Sequence, residues 1–277
     1  NARRAESQGA EVVVGDVRDP EVVDPFARRS DVILHTAAVV GEGGDWEPYR
    51  QVNVRGSRQV AASAAANGVG RLIHLSSVMV YGFDPPPEAD ETAPLCGENN
   101  PYCQTKIDSE NVVEAFHGRG DLEVTVVRPG DIYGPGSLPW VVRPLELMKQ
   151  GLFVLPDGGR GKLDPTWIDN LVDAILLLVE GDHGGKTFNV TDGTTVTCGE
   201  FFAYHAQMLQ TGPPMTMPSA ILGPSFRFIE ALFRLVGTEP PATADAVHFL
   251  ARPHGYSNAK IRAAGHVPRI GLEAGMR

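Results

Sequence analysis

Near the middle of the chain, in "NPYCQTKIDSEN", Tyr102 and Lys106 stand four residues apart. On a helix such a pair shares one face. Asn100 suits an N-cap, Pro101 a first helical position and Gly118 a stop, so the spacing predicts a helix carrying both. A free tyrosine, with a pKa of about 10, is a poor base at neutral pH, and lowering it by about three units takes roughly 4 kcal/mol. An ammonium about 5 Å away, at an effective dielectric of about 20, supplies roughly 3 kcal/mol of that. The same spacing also arises by chance, so its company decides. Ser76 and Ser77 close the run "RLIHLSS", at the carboxyl end of an expected strand, where open α/β sheets carry their ligands. A hydroxyl there can hydrogen-bond a substrate oxygen while the tyrosine moves its proton. The other reading is a strand-end turn whose serines satisfy backbone groups.

The elements that must position these side chains follow from the periodicity. Short β-branched runs, "EVVVGDV", "DVILHTAA", "RLIHLSS", "LEVTVVRP" and "KTFNV", alternate with helical stretches at Glu47 to Ala66, Pro101 to His117 and Ile168 to Glu180. Nearly all-apolar strands joined by helical crossovers predict a doubly wound, mainly parallel α/β sheet. Beyond Gly134, "GPGSLPW" and "LPDGGRGKLDP" are turn-rich, and residues 193 to 277 read as helices separated by Pro and Gly without a strand ladder. A smaller, mainly helical lobe over the carboxyl edge of the sheet is expected. No G-x-G-x-x-G or P-loop spacing occurs. "GEGG" at Gly41 to Gly44 follows a strand, but the acidic and aromatic "DWEPY" after it makes a loop rather than a phosphate cradle.

Bulk properties remove several classes. With 277 residues and 42% apolar composition, the chain holds one core with an appended lobe. A formal charge of −10, with no run of Lys or Arg longer than a pair, offers no whole-chain footprint for nucleic acid or an anionic membrane. Cys96, Cys103 and Cys198 lack metal-ligand spacing. Their odd number, with no secretory leader, fits a reducing, cytoplasmic setting and no metal. Apolar runs such as "AILLLV" fall short of the ~18 residues that span a bilayer.

Seven ordered segments, "GDVRD", "VILHTAA", "NVRGS", "HLSSVMVYG", "PYCQTK", "VVRPGDIYGPG" and "WIDNLVDAI", resemble the extended short-chain dehydrogenases/reductases in order and approximate spacing. The resemblance runs over nearly the whole chain and implies a Rossmann-type fold that takes NAD or NADP. It divides the chain into a dinucleotide-binding domain of residues 1–133 and 166–192 and a substrate lobe of residues 134–165 and 193–277. The first strand, glycine-rich turn, first helix and second strand of that family have no counterpart here. In the family's strand order they lie between "EVVVGD" and "VILHTAA", so those two runs are expected to stand apart. The residue selecting NAD or NADP falls in the same gap, and Arg3 and Arg4 lean toward NADP.

By the resemblance, Ser77 is the active-site hydroxyl, four residues before the tyrosine of "VYG". Tyr102 is the acid/base, and Lys106 lowers its pKa and holds the nicotinamide ribose. Asp16 and Val17 are adenine contacts. Thr36, Ala37 and Ala38 border the cofactor's phosphates and ribose, and Pro129 and Gly130 lie along the nicotinamide. Asn53 is either the helix asparagine near the nicotinamide or a structural residue. Helices "YRQVNVRGSRQVAASAAAN" and "PYCQTKIDSENVVEAF" form the pair through which relatives dimerise. A homodimer is expected, unless Ala61 to Ala66 pack only on their own sheet.

Departures narrow the substrate. The family's sugar dehydratases carry an acidic pair after the hydroxyl, where this chain has Val78 and Met79. Its nucleotide-sugar epimerases show Asn at the position of Asp131 and an Arg-Asp pair where "GKLDPTW" stands. Arg160, Lys162 and Arg252 remain as anion contacts, or as ordinary exposed bases. "GDWEPYRQVNVRG", "SSVMVYG", "WIDNLVDA" and "MPSAILGPSFRFIEALFRLVG" resemble the 3β-hydroxysteroid dehydrogenase branch. In the last segment Arg227, Glu230 and Arg234 make one polar stripe on a broadly apolar helix. That arc fits lobe packing, a lipophilic pocket or a membrane-surface contact. The leading expectation is an NAD(P)-dependent enzyme interconverting a secondary alcohol and a ketone on a hydrophobic or medium-sized substrate. The alternatives are a nucleotide-sugar epimerase and a non-catalytic dinucleotide sensor, although sensors on this fold commonly lose the Tyr and Lys present here.

Overall fold

The computed structural model describes residues 2–235 and 243–277. Strands are β1 (Val32–His35), β2 (Arg71–Leu75), β3 (Glu123–Pro129), β4 (Asp131–Tyr133), β5 (Val154–Pro156), β6 (Lys162–Leu163), β7 (Pro165–Trp167), β8 (Thr187–Val190), β9 (Val196–Thr197) and β10 (Met215–Met217). Helices are α1 (Ala2–Ser7), α2 (Pro20–Ala27), α3 (Trp46–Tyr49), α4 (Ser57–Ala66), α5 (Pro101–Glu114), α6 (Arg143–Lys149), α7 (Ile168–Glu180), α8 (Cys198–Leu209), α9 (Ser219–Leu235), α10 (Ala244–Leu250), α11 (Ala259–Ala263) and α12 (Leu272–Met276).

The main sheet runs β1-β2-β3-β8, every pair parallel. Parallel neighbours need crossovers, and helices supply them on both faces. On one face Ala27, Val60, Ala61, Ala64 and Val113 from α2, α4 and α5 pack on Leu72, Val124 and Val126. On the other, Leu171, Ala174, Ile175 and Leu178 of α7 meet Ile73, Val127, Phe188 and Val190. Ala61 and Ala64 pack on the sheet of their own chain, while Ala62 and Ala65 are partly buried and Ala66 is exposed.

Helix α7 has the expected bounds, and α5 ends three residues early, with turns carrying the chain to Gly118 at φ 73°. The stretch expected as one helix from Glu47 starts at Trp46 and is continuous, but residues Arg50–Gly56 are π-helical. Two expectations fail. "EVVVGDV" forms no strand, because a strand exists only through a partner for its backbone groups, and none stands beside it among the described residues. Val14 is 90% exposed. The run forms no ladder with β1. β1 is an edge strand, with Leu34 46% exposed. The tail beyond residue 193 also contains strands, since β9 pairs antiparallel with β6 and β10 parallel with β5.

These small ladders build the lobe. Phe153, Leu155, Leu163, Phe201, Phe202 and Met276 pack with Tyr133 into a second core. Helix α8 starts at a capping box, in which Thr197 accepts from Glu200 N–H while the Glu200 carboxylate accepts from Thr197 N–H. Val236 and Gly237, the end of the segment read as a broadly apolar helix, lie outside the described residues. No described helix is long and apolar enough to cross a membrane.

Candidate active site

A cavity of about 730 Å³ opens at the carboxyl end of the sheet, between it and the lobe. Ser76, Ser77, Tyr102, Lys106, Thr36, Ala38, Pro129 and Gly130 line it. In the sequence, spacing and strand position point to Ser76, Ser77, Tyr102 and Lys106, and the family resemblance implies Thr36, Ala38, Pro129 and Gly130. Ala37 and Asn53 do not line that cavity, and neither do Asp16 and Val17. The Asp16 carboxylate is occupied by its neighbour Arg18, with Nε to Oδ1 at 2.9 Å, which holds it down at about 2. Val17 packs into the core beside α4.

The tyrosine is set by the start of α5. Asn100 Oδ1 accepts from Tyr102 N–H (3.0 Å) and Cys103 N–H (3.1 Å), while Pro101 occupies a position whose N–H would have no partner. Asn100 Nδ2 donates in turn to the Glu42 carbonyl (2.9 Å) and to Asp245 Oδ2 (2.8 Å). One side chain thereby joins the tyrosine helix, the Gly41–Gly44 loop and α10 of the lobe. Glu42 also bridges to Arg143 of α6 at 2.9 Å, across the cavity wall. Sequence reading saw Asn100 only as a cap and missed Glu42, Asp245 and Arg143, since no local pattern marks a contact between residues 42 and 143. Asn53, in the π-helical segment, accepts from Val39 N–H (2.7 Å) and donates to Val39 O and Thr105 Oγ1 (both 3.1 Å). It ties the loop after β1 to α5, and these bonds support the structural alternative.

Ser77 takes the turn role considered for it and also meets the tyrosine. Its Oγ accepts from Met79 N–H (3.1 Å), capping a 3₁₀ turn, and its hydroxyl hydrogen-bonds Tyr102. Burial pushes the Tyr102 phenol up to about 12, with the Ser77 bond opposing. Lys106 lies 6.0 Å from the ring centre, donates to Leu75 O at 2.8 Å, and is pulled down by burial to about 8, with Glu110 opposing. The expected lowering of the tyrosine therefore does not occur in the protein alone. Desolvation penalises both charged forms, and the sequence argument left it out. Tyr102 here is a neutral hydroxyl, suited to giving a proton. Behind the lysine, the rings of His35 and His74 lie 5.4 Å apart, tilted at 32°, and burial together with the Lys106 charge keeps both neutral.

Arg252, expected either as an anion contact or as an exposed base, is neither. It is completely buried, and its Nη2 donates to both oxygens of Asp131 at 3.0 and 2.9 Å. Its Nη1 reaches Tyr256 OH (3.1 Å) and Met79 Sδ (3.5 Å), and Phe249 covers the guanidinium at 4.2 Å. Arg160 is exposed and Lys162 half-buried, and neither lines the cavity. Beside the ion pair lies Asp164, whose Oδ1 accepts from Thr195 (2.6 Å). Burial raises this carboxyl to about 6, with the Asp131 charge adding to the effect. Since the folded value exceeds the unfolded one, its stability contribution is complete below about pH 4 and is lost as pH rises through about 6. Asp164→Asn should therefore be more stable than the parent at pH 7, by roughly 1–3 kcal/mol, with the difference vanishing toward pH 4. Urea titrations across that range check it.

The crevice fits a dinucleotide at the residues present. Small side chains at Thr36 and Ala38 leave room at the end of β1. At Gly130 an added Cβ would lie 2.5 Å from Asp164 O, so no side chain can intrude there. Among the described residues no His/Cys/Asp/Glu cluster could hold a metal.

Comparison with known proteins agrees. The 2-alkyl-3-oxoalkanoate reductase of Stenotrophomonas maltophilia is 30% identical over 97% of this chain and 85% of its own length. A 4-hydroxy-2-methyl-3-oxo-4-farnesyl-3,4-dihydroquinoline-1-oxide ketoreductase of Stigmatella aurantiaca is 26% identical over 99% of this chain and 84% of its own. The solved UDP-glucuronic acid 4-epimerase of Bacillus cereus, in complex with UDP-glucuronic acid and NAD, shares the fold, with a TM-score of 0.76 and 17% identity over 99% of this chain and 82% of that one. The profile of the NAD-dependent epimerase/dehydratase family matches residues 1–191, and the chain belongs to that family.

Proposed function

We propose that the chain is an NAD(P)-dependent oxidoreductase that interconverts a secondary alcohol and a ketone on a hydrophobic substrate, with Tyr102 as proton donor and acceptor. Ser77 orients the substrate oxygen and Lys106 holds the cofactor's ribose. Thr36, Ala37, Ala38, Pro129 and Gly130 border the cofactor, with Asp16 and Val17 toward its adenine end. The bound nicotinamide supplies hydride transfer. The lobe of residues 134–165 and 193–277 holds the substrate, and the enzyme works in the cytoplasm as a homodimer.

One observation carries the substrate class: Leu147, Phe153, Phe202, Leu222, Phe226 and Val247 make the substrate side apolar, while Arg252, which does not line the cavity, is consumed by Asp131. A nucleotide diphosphate would need desolvated cations. This wall offers Arg143, which already holds Glu42. The two relatives above are named as reductases of oxo compounds bearing alkyl or farnesyl groups, which supports the same reading. The test is to incubate the full-length protein with reduced nicotinamide cofactor and a series of aliphatic and cyclic ketones. Stoichiometric loss of cofactor absorbance, rising with substrate apolarity, is expected. Interconversion of UDP-sugars with no net cofactor turnover would assign the epimerase activity instead.

A further inference from the structure

Helix capping explains only half of the bonds that Asn100 makes. A cap needs an oxygen, and Oδ1 supplies it by accepting from Tyr102 N–H (3.0 Å) and Cys103 N–H (3.1 Å). Serine, threonine or aspartate would serve that end as well. What asparagine adds is Nδ2, whose two N–H groups are both engaged, one by Glu42 O (2.9 Å) and one by Asp245 Oδ2 (2.8 Å). The side chain is only 3% exposed, so losing either acceptor would leave a buried donor without a partner.

The two acceptors belong to different parts of the cavity wall. Glu42 lies in the loop after β1, and its carboxylate continues to Arg143 of α6 (2.9 Å) and to the Thr243 hydroxyl (3.3 Å). Asp245 sits in the first turn of α10, whose Ala246, Val247, Phe249 and Leu250 line the substrate side. Loop and carboxylate are closely fitted, since a Cβ added at Gly43 would lie 3.3 Å from Asp245 Oδ2. One side chain therefore fixes the backbone of Tyr102 relative to both walls. We infer that Asn100 is a positioning residue for proton transfer: its two donors lock the start of α5 against the lobe and the Gly41–Gly44 loop, so that the Tyr102 hydroxyl meets a substrate oxygen held by the lobe. The inference rests on Tyr102 as the proton carrier. Placement enters the rate steeply, because a displacement of about 1 Å can cost about 10²-fold.

Exchanging the amide and the carboxylate tests it, with the full-length protein, reduced cofactor (NADH or NADPH) and 2-decanone as the probe. Asn100→Asp keeps the capping oxygen, loses both donors and sets a second carboxylate against Asp245. Its kcat should fall about 10- to 10²-fold, with the KM for the cofactor little changed. Asp245→Asn still accepts the same N–H through its amide oxygen and should stay near the parent. Asn100→Asp/Asp245→Asn re-forms the amide–carboxylate bond in reverse and should recover most of the lost kcat, which a merely structural cap would not do. Asn100→Ser, which keeps the cap without adding charge, should show the same loss of kcat with its circular dichroism spectrum intact, and it stands in if Asn100→Asp fails to fold. Parental kcat in both Asn100 variants while Tyr102→Phe is slow, or a double variant no faster than Asn100→Asp, would overturn this inference alone. No ketone turnover by the parent, or near-parental kcat in Tyr102→Phe, would sink the underlying reading and this inference with it.

Discussion

Tyr102→Phe should lower turnover of the full-length enzyme by about 10² to 10⁴, the usual worth of a positioned acid or base, while cofactor still binds. The substitution removes one hydroxyl and leaves the ring, the Asn100 cap and the Lys106 bond to Leu75 O in place. Because the buried phenol is held at about 12, it keeps its proton across the neutral range, and the reductive direction should be nearly flat with pH until Lys106 discharges. That lysine sits at about 8 in the free protein. Cofactor affinity should therefore fall as pH rises through 8, and Lys106→Met should abolish that dependence as well as weakening binding. Titration of cofactor fluorescence across pH separates the two variants: the phenylalanine variant keeps the pH profile and the methionine variant loses it. Near-parental turnover in Tyr102→Phe would leave the tyrosine and lysine as a helix pair without a chemical role.

The second large effect is on stability. Arg252→Met should cost roughly 3–5 kcal/mol, about 10 °C in a chain of this size, because it strands a buried carboxylate. Asp131 would keep only the Asp164 N–H at 2.9 Å, and burial already raises its pKa. Arg252→Met with Asp131→Leu should recover most of the loss, since two apolar side chains replace two opposed charges. Thermal melts of the four proteins complete the cycle. Full additivity would mean that the two side chains do not act as a pair.

Local features were legible in the sequence, and distant pairings were not. The start of helix α5, with Asn100 as its cap and Pro101 as its first residue, is specified within a short contiguous run. So is α7, whose apolar residues recur at helical spacing. The residues gathered around the cavity were readable through their ordered motifs, because each sits at a strand end or in a helix start with its own signature. The run "EVVVGDV" looked like a strand because β-branched composition reports tolerance of extended backbone, whereas a ladder requires a neighbour. The ladders of β6 with β9 and β5 with β10 are two and three residues long, too short to show a period. Arg252 and Asp131 are 121 positions apart. An arginine before proline gives no sign that its guanidinium will be buried. The tyrosine pKa failed for a related reason: sequence places the ammonium, but desolvation depends on what closes over it.

The free edge of β1 has a further consequence. Its outward N–H and C=O groups lie beside the half-exposed Leu34, and such an edge accepts any extended peptide through main-chain bonds, with little regard to side chains. As it stands, the sheet is a template for strand addition. Association of copies through that edge rises with concentration, so soluble yield should fall with concentration before thermodynamic stability limits it.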